Sequence, residues 1–230
     1  MSEHVLPGER PIRVVLRRSA RARRYSLRVS RLDGRVTLTM PQGASQARGL
    51  AFVHEKEGWI RKQLEERPSE VLVELGASLP VDGRPMQIVR GDSTRICEER
   101  DVIQISRRVG HVPGAVAGLL KAHARDRLAA ASDHYARILG RPYTKLTIRD
   151  TRSRWGSCSA DGALMYSWRL VLAPPDVLVY VAAHEVAHLA HMNHGPRFWT
   201  AVGNLMPGYE ERRAWLRENG ETLHRYRFTD

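Results

Sequence analysis

Between Asp176 and Glu185 the chain carries no charge, and four of its ten histidines then crowd into the run His184-Glu185-Val186-Ala187-His188-Leu189-Ala190-His191-Met192-Asn193-His194. Pro174, Pro175 and Asp176 open this stretch as proline at the first helical position and acid in the first turn do, so a helix is predicted from there to about His191. Its apolar composition means burial on most sides. Residues i and i+4 of a helix stand one above the other, about 6 Å apart, so His184 and His188 share a face. An isolated carboxylate at position 185 would cost several kcal/mol in such surroundings, roughly, unless an ion or polar group offset it.

Two imidazoles at that spacing can share one tetrahedral ion at roughly 2.1 Å each, and HExxH is the pattern that zinc hydrolases use. Glu185 would then stand beside the metal's water and take its proton. HExxH also occurs in unrelated helices, so the reading needs a third ligand and one open position. On an unbroken helix His194 would lie about 15 Å along the axis from His184 and about 80° off its face, so it can join only if the chain turns after Leu189. His191 stays on the face but lies about 7 to 8 Å beyond the midpoint of the first pair, too far to share the ion. His194 is therefore the expected third ligand. Its spacing from His184 equals that of HExxHxxGxxH, with His191 in place of the turning glycine and Asn193 able to take a left-handed backbone instead. Glu210 or Glu211 is the rival third ligand. Met206 reads as core packing.

The remainder of the chain supplies the frame. Period-two alternation at Ile12, Val14 and Leu16, at Tyr25, Leu27 and Val29, and at Val36, Leu38 and Met40 predicts strands, with Asp33-Gly34 as a hairpin turn. Residues 45–67 change to helical spacing, with Ser45 as N-cap and Pro68 as the stop. Short apolar runs over 71–106, broken at Asp82-Gly83-Arg84-Pro85 and Gly91-Asp92, predict a second antiparallel meander. A long helix follows over 113–139, closed by Gly140 and Pro142, which sets a boundary near residue 110. Beyond it come strands at 145–149 and 163–167, a turn carrying Arg154-Trp155-Gly156-Ser157-Cys158, and helices near 196–206 and 208–219. Phe198, Trp199 and Trp215 are expected in the core, and Tyr209 either there or near the site. Cys158 has no partner at CxxC spacing and is expected to be a small buried residue rather than a ligand.

Charge points to an anionic partner. The chain has 37 basic and 25 acidic residues, net +12, and 33 of the basic set are arginine, whose planar fork suits phosphate and carboxylate. A GC-rich genome encoding arginine by default would give the same total, but the distribution is uneven. Residues 10–35 hold ten arginines against the single acid Asp33. Arg17, Arg18, Arg21, Arg23, Arg24 and Arg28 are accordingly candidate anion-binding residues on one face of a small sheet, and non-specific DNA contact is an expected partner mode. Tyr25 is the one aromatic in that stretch, so contact would be led by phosphate rather than by base stacking. The two cysteines suggest no disulfide framework and suit a reducing cytoplasm. The longest uncharged apolar run, Val177 to Ala183, is too short for a membrane span or a signal-peptide core. A cytoplasmic protein without membrane contact is expected.

An ordered set of motifs runs through the carboxy-terminal half: Arg152-Ser153-Arg154-Trp155-Gly156-Ser157-Cys158-Ser159, then Trp168-Arg169-Leu170 with Pro174-Pro175, then Tyr180-Val181 before His184-Glu185. Asn193-His194, Phe198-Trp199 and Pro207-Gly208-Tyr209 continue it. This set resembles the YgjP-like metal-dependent hydrolase family, as do the amino-terminal arginine-rich hairpins and the Trp59-Ile60 helix. Ser167 stands where that pattern has Asn, and Val186 where Leu is common; neither removes a ligand or base. The resemblance implies a zincin-like catalytic half, similar to SprT-type proteases that act on DNA-bound proteins, with Zn2+ at His184, His188 and His194. Metallopeptidase and nucleoside-triphosphate pyrophosphatase activities are both attached to the family. In zincins the turn at Arg154 borders the substrate cleft, so Arg154 is expected to face the metal and stabilise an oxyanion or phosphate, with Trp155 packed beneath it.

The sequence thus predicts an α+β protein: a basic β-rich region with one helix over 1–110, then a zincin-like domain with the HExxH helix over 111–230. The expected function is zinc-dependent hydrolysis of a peptide or protein, with Glu185 and Arg154 as catalytic residues. A UTP-type pyrophosphatase acting on a nucleotide is the first alternative. A non-catalytic zinc-containing nucleic-acid-binding module is the second.

Overall fold

The computed structural model describes residues 2–30, 33–66 and 69–228. The chain separates into two compact units, Met1–Ser69 and Glu70–Asp230.

The first unit is built on strands β1 (Ser2–Leu6), β2 (Ile12–Ser19), β3 (Ser26–Val29) and β4 (Val36–Pro41), in the order β1-β2-β4-β3. β2 runs parallel to β4, while the other neighbours are antiparallel. The predicted alternation buries Ile12, Val14, Leu16, Val36, Leu38 and Met40 with Val53 of α1 (Gln46–Glu55) and Ile60 of α2 (Glu57–Glu65). The opposite face is left to solvent. Ser45 caps α1 by accepting from the Arg48 amide at 3.4 Å. The single helix expected over 45–67 is two, because Lys56 leaves the helical region at φ −95°, ψ 9° just before Gly58, a poor helix former. Pro68 lies outside the described residues.

In the second unit β5 (Val71–Leu72) precedes a sheet of β6 (Ser78–Val81), β7 (Arg84–Gly91), β8 (Arg95–Cys97) and β9 (Val102–Ser106). Its order is β6-β7-β9-β8 with β7 parallel to β9, not a simple meander. The chain passes Gly91, whose missing side chain leaves room for Gln104 of β9, makes β8 as an outer strand, and returns between the two. Leu79, Val81, Ile88, Ile103 and Ile105 belong to the same buried cluster as Val116, Leu120 and Leu128 of α3 (Val112–Leu139). The separation therefore falls near residue 70 and not near 110, because this sheet's apolar face is covered by α3.

Gly140, at φ 70°, ends α3 as expected. A three-stranded sheet follows, from β10 (Lys145–Arg149), β11 (Gly156–Cys158) and β12 (Ala163–Ser167), with β12 central, β10 parallel to it and β11 antiparallel at the edge. α4 (Pro175–Ala187), α5 (Pro196–Leu205) and α6 (Tyr209–Asn219) come next, then β13 (Tyr226–Arg227), which pairs in parallel with β5. The turn between β12 and α4 places Arg169 in the interior. Its guanidinium donates to Asp150 at 2.7 and 3.2 Å and to the carbonyls of Leu223 and Tyr226 at 3.2 and 3.1 Å. No described helix is long and apolar enough to cross a membrane.

Candidate metal centre

α4, uncharged between Asp176 and Glu185, stops earlier than its composition suggests. It ends at Ala187, with His188 as C-cap, instead of near His191. Tight turns replace it: the amide of Leu189 bonds to Val186 O at 2.9 Å, that of Ala190 to Ala187 O at 3.1 Å, and that of Gly195 to Asn193 O at 2.7 Å. Among the described residues the only non-glycine positions with positive φ are Asp82 and Asp101, so the left-handed backbone expected of Asn193 is not used. The bend nevertheless falls after Leu189, where a third ligand requires it.

Its consequence is convergence. One ring nitrogen from each of His184, His188 and His194 lies within 4.8 Å of the other two, the one grouping of this kind among the described residues. His184 Nε2 and His194 Nε2 are 3.1 Å apart. The other nitrogen of His188, Nδ1, is held 3.1 Å from His191 O, which orients the ring. His191 therefore contributes its carbonyl, not its imidazole. The rivals are elsewhere engaged: Glu211 pairs with Arg212 at 2.8 Å and is exposed, as is Glu210. Cys158 is half-buried with its thiol on Ser159 O, and burial pushes that thiol up to about 11.

Burial lowers the His184 imidazole to about 3, aided by its neighbours His188 and His194, and lowers His188 too. Neutral imidazoles present the lone pairs that a divalent cation needs. The donor set, its spacing and its protonation fit such an ion. Three nitrogens around one point suit Zn2+ with one position open, and they do not suit Mg2+, which takes oxygen ligands.

Glu185 is only 5% exposed, and burial pushes its carboxyl up to about 8 against the opposing pull of the Arg154 guanidinium. It packs against edge strand β11 at Gly156, where a Cβ would lie 2.5 Å from Glu185 Oε1. Arg154 is exposed on the turn before that strand, held in shape by Thr151 Oγ1 donating to Arg154 O at 2.8 Å. Trp155 is half-buried and directed elsewhere, its ring 5.0 Å from that of His224 and its edge against Gly220. It anchors the turn from behind.

Two residues expected only as core do more. Phe198, fully buried, has its ring 4.9, 4.5 and 4.7 Å from those of His184, His188 and His194 and forms the floor of the centre. Trp199 packs at 5.7 Å from His184 and 5.8 Å from His194 and continues into a stack with Tyr209 and Tyr180. The signal was the spacing: Phe198 follows His194 by four residues across the start of α5. Gly156 gave no chemical signal of its own.

All six candidate anion-binding arginines are exposed, without a carboxylate within ion-pair distance among the described residues. Arg18 differs in one respect: it sits on the inward parity of β2 and its Nη1 donates to the carbonyls of Gln42 and Ala44 at 2.7 and 2.9 Å, so it also braces a loop.

A centre of three imidazoles beside a buried glutamate, on a mixed α and β scaffold, defines a metal-binding protein of the hydrolase type. The chain belongs to the YgjP-like metallopeptidase-domain family, whose pattern it matches over residues 23–219. No curated protein matches it. Among solved structures it is similar to the metallopeptidase zymogen of Pyrococcus abyssi, abylysin, at 22% identity and a TM-score of 0.36, over 39% of this chain and 93% of that one.

Proposed function

We propose that the protein is a zinc-dependent peptidase whose ion is held by His184, His188 and His194 and whose general base is Glu185. The observation that carries this reading is the convergence of three ring nitrogens within 4.8 Å, with the carboxyl of Glu185, next in the chain to His184, 5% exposed. Zinc bound there would polarise the scissile carbonyl and make water a nucleophile near neutral pH. Glu185 is the residue to accept a proton from the attacking water as the C–O bond forms, and to return it to the leaving nitrogen as the C–N bond breaks. Arg154, the cation closest in effect to Glu185, is the group to stabilise the developing oxyanion. The pyrophosphatase alternative finds no carboxylate set for Mg2+ at this centre, where every grouped ligand is an imidazole.

The test is Glu185→Gln. Metal content should stay stoichiometric while hydrolysis of an unfolded protein falls to background. Wild-type turnover in that variant would refute the assignment of the base, and loss of a nucleoside triphosphate as the one substrate consumed would refute the peptidase reading.

A further inference from the structure

The exposed face of the first unit's sheet carries arginine and hydroxyl side chains, with Val15 and the half-exposed Val5, which is paired with Arg13, among them. Because Ile12, Val14 and Leu16 face inward, Arg13, Val15 and Arg17 of β2 face outward. The register continues this across the sheet: Val15 stands beside Thr37 of β4, which stands opposite Arg28 of β3, and Arg17 stands beside Thr39, opposite Ser26. Arg17 and Arg28 thus flank two central threonines. Glu3 of β1, paired with Val15, is the acid at the margin. The β2–β3 connection adds exposed Arg21, Arg23 and Arg24 at the end nearest Arg17. None of these arginines has an ion-pair partner among the described residues, although paired arginines are common elsewhere in the chain, as at Arg61, Arg84 and Arg169.

Spacing and the lack of free rings narrow the partner. Arg13 and Arg17 are about 13 Å apart along β2, and β3 lies about 10 Å from β2, spacings comparable with the ~12 Å major groove of a duplex. Tyr25 cannot serve as a stacking platform, since its hydroxyl donates to Ser45 O at 2.8 Å and its ring packs toward Phe52. Single-strand binders add aromatic stacking to a basic groove that tracks the backbone, and this face offers no free ring for it, whereas a duplex can be held through its phosphates alone. We propose that this sheet face binds the phosphodiester backbone of a nucleic-acid duplex, without sequence preference. The proposal is independent of the metal centre.

The experiment is fluorescence anisotropy of the full-length chain with a labelled DNA duplex, its RNA counterpart and one separated strand, each across a salt series. R13Q/R17Q/R28Q should flatten the slope of log K against log[salt] by about 2.7 and weaken binding near 0.1 M salt by roughly 10²- to 10³-fold. R108Q/R125Q/R137Q removes the same charge from exposed positions of the second unit and should leave the slope unchanged. R13K/R17K/R28K should retain the slope, and it covers the case in which the glutamine variant fails to fold. Equal flattening by both glutamine triples would reduce the effect to net charge and overturn the proposal. So would tighter binding of the single strand, or binding of phosphatidylserine vesicles or polyglutamate in preference to the duplex.

Discussion

Gly156 offers a sharp test of how Glu185 is held. A Cβ at this position would lie 2.5 Å from Glu185 Oε1, 2.6 Å from its Cγ and 2.8 Å from its Cδ. Non-bonded carbon atoms rest at about 3.5–4.0 Å, so Gly156→Ala requires a displacement of about 1 Å. β11 is the stiffer partner: Gly156 is registered with Tyr166 of β12, and the amide of Ser167 bonds to Trp155 O at 2.8 Å. Rotation of the Glu185 side chain breaks no backbone ladder, so the carboxylate should be the part that moves. Overpacking of this kind costs about 1–3 kcal/mol, and a 1 Å misplacement of a reacting group costs about 10²-fold in rate. The assay is peptide hydrolysis by metal-loaded protein, with metal stoichiometry and thermal unfolding measured in parallel. The expected result is a hundredfold lower kcat, full metal content and a melting temperature lowered by a few degrees. Gly118→Ala in α3 is the control, since its Cβ meets nothing within 4 Å. A folded, metal-replete Gly156→Ala protein with wild-type kcat would refute the reasoning.

Three further outcomes follow from the same geometry. His194→Ala removes an exposed ring and should weaken metal binding by more than about a hundredfold, beyond what an orienting partner alone is worth, with little change in apo-protein melting; equilibrium dialysis decides it. Arg154→Ala should lower kcat by about 10²-fold with little change in metal content, and a loss confined to KM would contradict an oxyanion role. Burial, reinforced by Arg169 and partly opposed by Asp150, lowers His224 to about 4. The unfolded chain therefore binds a proton that the folded one refuses between about pH 6.5 and 4, and stability falls on acidification through that window. The ceiling is about 3 kcal/mol, reduced to about 1–2 kcal/mol by solvent screening at a part-exposed ring. His224→Gln should reduce the fall of urea midpoints over pH 4–6.5 without abolishing it, since burial also lowers His184 and His188. Asp150, whose carboxyl is lowered by Arg169, should still produce its own loss below that range.

Much of this arrangement was legible because side-chain periodicity is local. The alternation at Ile12 to Leu16 and Val36 to Met40, the glycine stop at 140, and the strands at Lys145–Arg149 and Ala163–Ser167 are where the pattern puts them. The histidine spacing also stated what it needed, a turn after Leu189, and the chain makes that turn. What the sequence could not convey was non-local. Nothing in the runs at 78–106 says that β9 inserts between β7 and β8, or that their apolar face is buried with α3. Arg18 has the same chemistry and exposure as Arg17, and only strand parity turns its guanidinium toward the carbonyls of a neighbouring loop. Gly156 is silent until Glu185 is placed against it, and Phe198 looks like ordinary core until three imidazoles rest on it.

The pairing of β13 with β5 brings the second unit's first and last strands side by side, and Arg169 ties the later of them to the residue that follows β10. One guanidinium grips Leu223 and Tyr226 with one edge and Asp150 with the other, only four residues before Arg154. Fraying of the tail would hence be felt at the loop that borders the carboxylate. Proteolytic trimming of the final strand should behave as a remote lesion of the reaction centre and not as the harmless loss of a loose end.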